Sequence, residues 1–474
     1  MALPEVSIAI KDGALGVLPP NGNNVLTLLG MCSSGTANTA YEFGDPQVIK
    51  DTLGTGPLVE AAAAVLREAG GSVRCVKISG STAATFGSVT LSGTGSSVLT
   101  LTGSTPYDTY NAKIKIVTGG ANPASAVVTF QYSLDAGLNY SSVIALPAAG
   151  TYTIPGTGIA LTFSAASLVA ADIYSFDTVA PGYTTGEMNT AYDAAVLDQE
   201  AAFFGIGLIG TPADATAAQA VFSALDTKLE ASATAFRYVR GFMQAHSASD
   251  SATKSAFAAL TSKRLVVCQG TVRLASAVGA YQVDRPVLYS VLARAAKATP
   301  SQDLAEVAAG SLLGVTAVSR NESSTPNLDA YNFTTVRSLV GLRGFYITNC
   351  NLFSDNTSDY QYLQHGRVMD IACLLTRVGM LKFLNGSVRV NTSTGRILEE
   401  DAAAIESYVE GVVRAGVIQP GYASDARVTV IRTDNILSTS TLRATIRVTP
   451  LGYLKAIETT IGYFNPALAP QQAA

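Results

Sequence analysis

Gly205, Gly207 and Gly210 have the spacing of a GxGxxG loop. In a dinucleotide site such glycines follow a strand and open a helix, where backbone amides cradle the pyrophosphate. Here they lie inside the apolar run Phe203-Phe-Gly-Ile-Gly-Leu-Ile-Gly210, and Pro212 follows. That placement suits close packing or a bulge of a buried strand. The chain has two histidines, His246 and His365, which raises the question of a Ser-His-Asp triad. His246 follows an apolar strand among serines, but no Gly-x-Ser-x-Gly elbow exists to present a nucleophile. His365, in Gln364-His-Gly-Arg367 ahead of a helical run, reads as a capping or interface residue. Cys32, Cys75, Cys268, Cys350 and Cys373 never have CxxC spacing and read as buried thiols of a reducing compartment. No His, Cys and carboxylate set has metal-ligand spacing. The expectation is a chain without catalytic residues, cofactor or metal; a hydrolase or nucleotide-binding enzyme is the alternative.

Composition narrows the classes further. The 474 residues suffice for two to four domains with full cores. The net charge of −4 leaves no electrostatic footprint for nucleic acid. Charged residues are 14% of the chain, against roughly 25% in ordinary soluble domains. So little charge fits a surface that neighbouring subunits cover, or else an ordinary Ala/Gly/Ser/Thr-rich surface. The start, Met1-Ala-Leu-Pro-Glu-Val6, lacks the basic flank and apolar run of a signal peptide, and no apolar run reaches membrane-spanning length. The expected protein is made and kept in a cytoplasm.

The elements come in blocks. Residues 1–22 form an extended arm, with Val6, Ile8 and Ile10 alternating before turns at Lys11-Asp-Gly13 and Pro19-Pro-Asn-Gly22. Strands are expected over Asn24–Cys32 and Val73–Ile78, joined by helices over Pro46–Leu53 and Leu58–Ala69, which implies a parallel pair. From 80 to 180 the texture changes to short Thr/Val/Ile/Tyr strands separated by turns, an antiparallel β-sandwich inserted between two halves of an α/β domain. The ends of such an insertion should lie close together. Residues 181–326 resume the alternation: helices at 192–199, 213–234, 249–263 and 286–298, strands at 203–210, 236–244 and 264–268. This is a doubly wound core over 23–79 and 181–326.

The last block, 327–454, is α+β. Val368–Leu384 and Glu399–Ala415 read as helices, the second acidic at its start and ending on Arg414. Leu442, Ala444, Ile446 and Val448 then alternate with polar residues in a half-buried strand. After Pro450 and Gly452, Ile457, Thr459, Ile461 and Tyr463 repeat the period of two in a C-terminal arm, 455–474. An arm of about 20 residues spans at most roughly 65 Å, and a compact body of this length is about 60 Å across. Either arm can therefore reach a neighbour's sheet and add a strand to it.

Asp329-Ala-Tyr-Asn332, Arg343-Gly-Phe-Tyr-Ile-Thr-Asn349, Arg367-Val-Met-Asp370, the acidic helix after Gly395, and Arg447-Val-Thr-Pro450 followed by Ile457-Glu-Thr-Thr-Ile461 resemble, in this order, the C-terminal domain of contractile tail sheath proteins. Phe43-Gly-Asp-Pro46 and the helix ending in Glu68-Ala-Gly-Gly71 resemble that family's N-terminal part. The resemblance implies a non-catalytic, subtilisin-like core with the β-insertion facing outward and the C-terminal domain as the inner layer. It implies a helical homopolymer around a tail tube protein, with baseplate and tail terminator proteins as further partners. No nucleic-acid contact and no membrane insertion are expected, and the location is the virion, assembled in the host cytoplasm. The arms would tie subunits together through Leu442, Ala444, Ile446 and Val448 of an adjacent copy, and Glu410 and Arg414 would face the tube. A non-contractile virion or adhesive protein is a second alternative.

Overall fold

The computed structural model describes residues 24–101, 105–125, 127–197, 202–246, 248–279, 281–325 and 327–463. The expected arm strand with Val6, Ile8 and Ile10 lies outside the described residues.

The core opens with β1 (Leu26–Gly30), β2 (Ala40–Phe43), α1 (Pro46–Leu53), α2 (Pro57–Ala69) and β3 (Val73–Lys77). Asp45 caps α1 by accepting from the amides of Gln47 and Val48. Pro57 at the first turn starts α2, and Gly70, at φ +65°, stops it. β1 and β3 pair in parallel, as the strand–crossover–strand pattern requires.

Residues between β3 and the next core element form two antiparallel sheets. Their strands are β4 (Thr85–Phe86), β5 (Thr90–Ser92), β6 (Leu99–Thr100), β7 (Asn111–Thr118), β8 (Thr129–Ser133), β9 (Ile144–Ala145), β10 (Thr151–Ile154), β11 (Ile159–Phe163) and β12 (Ile173–Val179). One sheet runs β10-β11-β6 and the other β4-β12-β7-β8-β9 with β5 beside β12. Alternate residues such as Ile114, Ile116, Phe130, Leu161 and Tyr174 share one apolar cluster. The block begins and ends at one place, since Thr82 and Gly182 exchange backbone hydrogen bonds.

The core then continues through α3 (Thr185–Leu197), β13 (Gly205–Leu208), α4 (Ala215–Thr234), β14 (Arg240–Gln244), α5 (Asp250–Phe257), β15 (Leu265–Cys268), β16 (Thr271–Ala275), β17 (Gln282–Pro286), α6 (Val287–Lys297), β18 (Ala317–Val318) and β19 (Phe333–Thr334). The main sheet has the order β19-β15-β14-β13-β1-β3-β2. All its pairs are parallel except β2 with β3. The chain order reverses between β1 and β13, the mark of double winding. α1, α2 and α6 pack on one face and α3, α4 and α5 on the other.

Three expectations change here. The helix expected over 249–263 ends at Phe257, because the following segment turns inward: the Ser262 hydroxyl accepts from the amides of Arg264 and Leu265, and the Lys263 carbonyl accepts from Arg240. The strand expected from Phe236 starts at Arg240, because Phe236 has φ +65° in a turn closing α4. The block expected to begin a separate domain at 327 supplies β19 to the core sheet, and the C-terminal layer's own apolar cluster begins at Val368.

The last elements are β20 (Val336–Arg337), β21 (Tyr346–Ile347), α7 (Leu363–Leu381), α8 (Glu399–Val413), β22 (Asp425–Val430), α9 (Ile436–Thr439) and β23 (Ala444–Thr449). Buried arginines cross both seams of the body. Arg285, on β17, binds both carboxylate oxygens of Asp108 in the insertion at 2.6 and 2.5 Å and lies 3.6 Å from Glu60 of α2. Arg240, on β14, donates to Asp370 and Gly366 of α7. Breaking a buried pair leaves a charge that neither water nor protein answers. Asp108→Ala should therefore lower stability by about 3–5 kcal/mol in urea unfolding. The matched change Asp108→Leu with Arg285→Met should recover most of it. A single variant as stable as the parent would mean that the insertion is not anchored there.

Candidate inter-subunit interface

The C-terminal layer is a two-stranded sheet on two helices. α8 turns Ala402, Ile405, Val409 and Val413 inward at helical spacing, and β22 contributes Ala426, Val428 and Val430 at strand spacing. β23 lies antiparallel to β22, with Val428 opposite Ile446 and Arg427 opposite Arg447. The amide of Ile431 donates to Arg443 at 2.8 Å. With this register, Asp425, Arg427 and Thr429 exchange hydrogen bonds with β23, whereas Ala426, Val428 and Val430 turn their backbone groups outward. On β23 the outward-turned groups are those of Ala444, Ile446 and Val448.

The two outer edges are finished differently. Glu406, Glu410 and Arg414 stand one turn apart on the α8 face beside β22. Glu406 accepts from the Val430 amide at 2.6 Å, Glu410 accepts from the Val428 amide at 3.1 Å, and Arg414 donates to the Ala426 carbonyl at 3.1 Å. Arg432 donates to the Val430 carbonyl at 2.8 Å and binds Glu406 and Glu399. Side chains thus bond four of the outward backbone groups of the β22 edge. Among the described residues, no hydrogen bond reaches the outward groups of Ala444, Ile446 and Val448. An exposed row of unpaired amides is a template for another strand.

Beside that open edge runs an apolar groove of about 520 Å³. Met369, Ala372, Cys373, Thr376 and Met380 of α7 form its floor, Ile446 and Val448 one wall, and Phe236 and Tyr238 of the core the other. The Arg377 guanidinium lies 3.6 Å from the Phe236 ring centre. α7 thus has an apolar face that two strands do not cover.

After Thr449 the chain leaves the sheet. The Tyr453 hydroxyl donates to the Ser301 carbonyl at 2.6 Å, and the Lys455 ammonium binds Asp303 and Asn349 and sits 4.7 Å from the Tyr362 ring centre. The His365 ring lies 5.4 Å from Tyr453. Burial, with help from Lys455, pushes the His365 pKa down, against Asp359. Beyond this anchor the described residues form no helix or strand. The expected strand from Ile457 to Tyr463 has no partner among the described residues, and Ile457, Ile461 and Tyr463 are exposed.

The other expected residues are placed as follows. Leu442, Ala444, Ile446 and Val448 are half-buried against the helices. Glu410 and Arg414, expected to face a tube, are engaged with β22. Arg414 also binds Asp425 at 2.6 Å, yet 43% of its side chain remains exposed. Gly205 and Gly207 of the GxGxxG spacing lie in β13, and Gly210 follows its end. A Cβ on Gly205 would come within 2.9 Å of Leu26, and one on Gly207 within 2.8 Å of Leu292. His246 is buried with its ring 6.4 Å from that of Phe257, and its Nδ1 has no hydrogen-bond partner among the described residues. No group of three or more His, Cys, Asp and Glu there could hold a metal. Within the C-terminal layer, β22 and the closure of its edge are not among the sequence expectations; the Glu406–Glu410–Arg414 spacing is a signal that points to the second.

The edge closure is titratable. The Arg432 guanidinium holds the Glu406 carboxyl below the usual glutamate range, Arg432 does the same for Glu399, and Arg414 for Asp425. A depressed carboxyl contributes stability above its unfolded pKa of about 4.3, and that contribution is lost as the pH falls through the folded value. The thermal unfolding midpoint should therefore fall from about pH 5 downward. Glu406→Gln should cost about 0.5–1.5 kcal/mol near neutral pH and flatten the acid limb. An unchanged acid limb in that variant would show that Glu406 does not carry it.

Residues 3–351 match the family model of the DUF2586 N-terminal domain, and residues 359–468 match that of the DUF2586 C-terminal domain. No curated protein matches the chain. Among solved structures, the chain is similar to the sheath complex, in its contracted state, of the extracellular contractile injection system PVC. The TM-score is 0.55 at 8% identity, covering 98% of each chain. It is similar to the helical sheath of the anti-feeding prophage in its contracted state, with TM-score 0.54, 10% identity and coverage of 98% and 99%. It is also similar to a chain of the anti-feeding prophage baseplate, with TM-score 0.54, 9% identity and coverage of 98% and 100%. Insertion, core and C-terminal layer together thus have the fold found in contractile sheath assemblies, and by sequence the chain belongs to the DUF2586 family.

Proposed function

We propose that this chain is the structural subunit of a contractile tail sheath. Many copies form a helical cylinder around a tail tube, held in a metastable extended state. Release of that state drives the tube through a bacterial envelope, for genome delivery in a virion. The observation that carries the reading is likeness to contractile sheath chains along 98% of this chain, together with an open strand edge and an exposed apolar arm in one subunit. On this reading the doubly wound core is a subtilisin-like scaffold without catalysis, and the insertion faces outward. The C-terminal layer meets the tube, with Glu410 and Arg414 as polar contacts worth about 0–1 kcal/mol per exposed pair. Weak contacts suit a tube that must slide free. Tube, baseplate and terminator proteins are the partners, and assembly takes place in the host cytoplasm.

Linkage between copies falls to the arms. Each donated strand adds backbone hydrogen bonds at about 0.5–1.5 kcal/mol each. Burial of Ile457 and Ile461 adds roughly 1.5–3 kcal/mol each. Negative-stain microscopy of the purified full-length protein should reveal long hollow cylinders. Truncation after Leu454, or Ile461→Pro, which removes a ladder donor, should leave monomers with an unchanged circular dichroism spectrum. Discrete particles from the parent protein, with turnover of a substrate or nucleotide, would favour an enzyme. Cylinders of normal length from either variant would refute linkage by this arm.

A further inference from the structure

We infer that His365 is the proton-sensitive element of a latch: while its imidazole is neutral, the chain after β23 is held on the body at Tyr453 and Lys455, and protonation of the ring releases it. The inference goes beyond the sheath reading, because it concerns a single subunit and holds or fails without polymerisation.

Four stretches of chain meet at this point. Ser301 and Asp303 follow α6, Asn349 follows β21, Asp359 and Tyr362 precede α7, and Tyr453 and Lys455 follow β23. Tyr453 donates to the Ser301 carbonyl, and Lys455 donates to Asp303 and Asn349. Past Pro450, no other hydrogen bond joins the chain to the body among the described residues. His365 lies under this crossing. Its ring centre is 5.4 Å from that of Tyr453 and 5.4 Å from that of Tyr362. The ring shares a hydrogen bond with the Asp359 backbone. Its Nε2 is buried with no partner among the described residues, so Nδ1 carries the proton of the neutral ring.

Three features of the closed latch oppose a second proton. On Nε2 it would be a buried donor without an acceptor. The Lys455 ammonium already lies 4.7 Å from the Tyr362 ring centre, so an imidazolium beside the same ring meets a like charge. His365 is also the third residue of α7, where the positive end of the helix disfavours a cation. The carboxylates on the other side are Asp359 and Asp303, and Lys455 engages Asp303. Arg367, on the same helix, turns to the Ala295 and Ala298 carbonyls. Burial first, then Lys455, hold the imidazole below its ordinary pKa against Asp359 and Asp303. Opening the latch removes the Tyr453 ring and the Lys455 charge and leaves both carboxylates, so the open form binds the proton more tightly. By linkage, protonation weakens the latch by the same factor. The closed form binds fewer protons, so its stability is complete above the ordinary histidine value of about 6.5 and is lost as the pH falls through the closed value.

The chain has no tryptophan, and Leu454, between the two latch residues, is 86% exposed. Leu454→Trp in the full chain therefore places a single fluorescent reporter on the latch. Its time-resolved anisotropy should gain a fast component as the pH falls below about 6.5, with an unchanged far-ultraviolet circular dichroism spectrum. His365→Gln in that background should remove the step. A step that persists in His365→Gln would assign it to a carboxylate such as Asp303 and overturn the inference, and so would a parent reporter whose mobility does not change with pH. A second measurement reads the proton itself and needs no change at His365. Hydrogen exchange at the imidazole Cε1, followed by mass spectrometry, titrates the two histidines separately, with His246 as the internal control. In the full chain carrying Tyr453→Ala and Lys455→Ala, the His365 midpoint should move up, with proton affinity raised by about 5-fold or more. A His365 midpoint that is the same with and without the latch residues would overturn the inference.

Discussion

An antiparallel hairpin laid on two helices has two edges, and each outward N–H and C=O on them must meet a partner in protein or water. In this chain the two edges meet that constraint in opposite ways. β22 has its groups answered by Glu406, Glu410, Arg414 and Arg432. β23 leaves Ala444, Ile446 and Val448 open beside an apolar groove. Among the described residues, the hairpin is therefore unfinished along one edge. The direction in which the sheet can grow follows from four side chains on or near α8.

The remainder of the body makes that asymmetry useful. Arg285 joins the insertion to the core through Asp108 and Glu60, and Arg240 joins the core to α7 through Asp370. Buried charges of this kind tolerate little relative displacement, because each lost partner leaves an expensive vacancy. Insertion, core and C-terminal layer are accordingly tied to one another, and among the described residues the segment past Lys455 makes no hydrogen bond to the body. In the proposed sheath, subunits that shift during contraction would keep their links through the arms while the bodies move as units.

The core was legible from the sequence because its cues are local and redundant. Asp45, Pro57 and Gly70 bound their helices where capping chemistry places them. The alternation of Ile114 and Ile116 or of Ile159 and Leu161 marked the insertion strands. Legibility failed where tertiary contacts override local pattern. The hairpin β16–β17 was missed because its strands are short and one of their four buried positions is Arg285, beside Val272, Leu274 and Val283, a residue that local pattern assigns to solvent. β22 was missed because Asp425-Ala-Arg-Val-Thr-Val430 alternates over too few strongly apolar residues. The helix expected to reach 263 was cut short by Ser262 and by the claim of Arg240 on the Lys263 carbonyl. The candidate interface was half legible. The strand and arm periodicities were plain, but closure of the β22 edge depends on side chains meeting backbone across α8, and the groove depends on α7, β23 and Phe236 converging from three separate stretches.

The central claim is that assembly completes the sheet at β23 and nowhere else on the hairpin. Hydrogen exchange with residue-level readout, comparing dispersed subunits with assembled protein, addresses it directly. The amides of Ala444, Ile446 and Val448 should exchange freely in the subunit and become protected on assembly. Those of Val428 and Val430, already held by Glu410 and Glu406, should be protected in both states. Exchange at the three β23 amides that does not change on assembly would contradict the account.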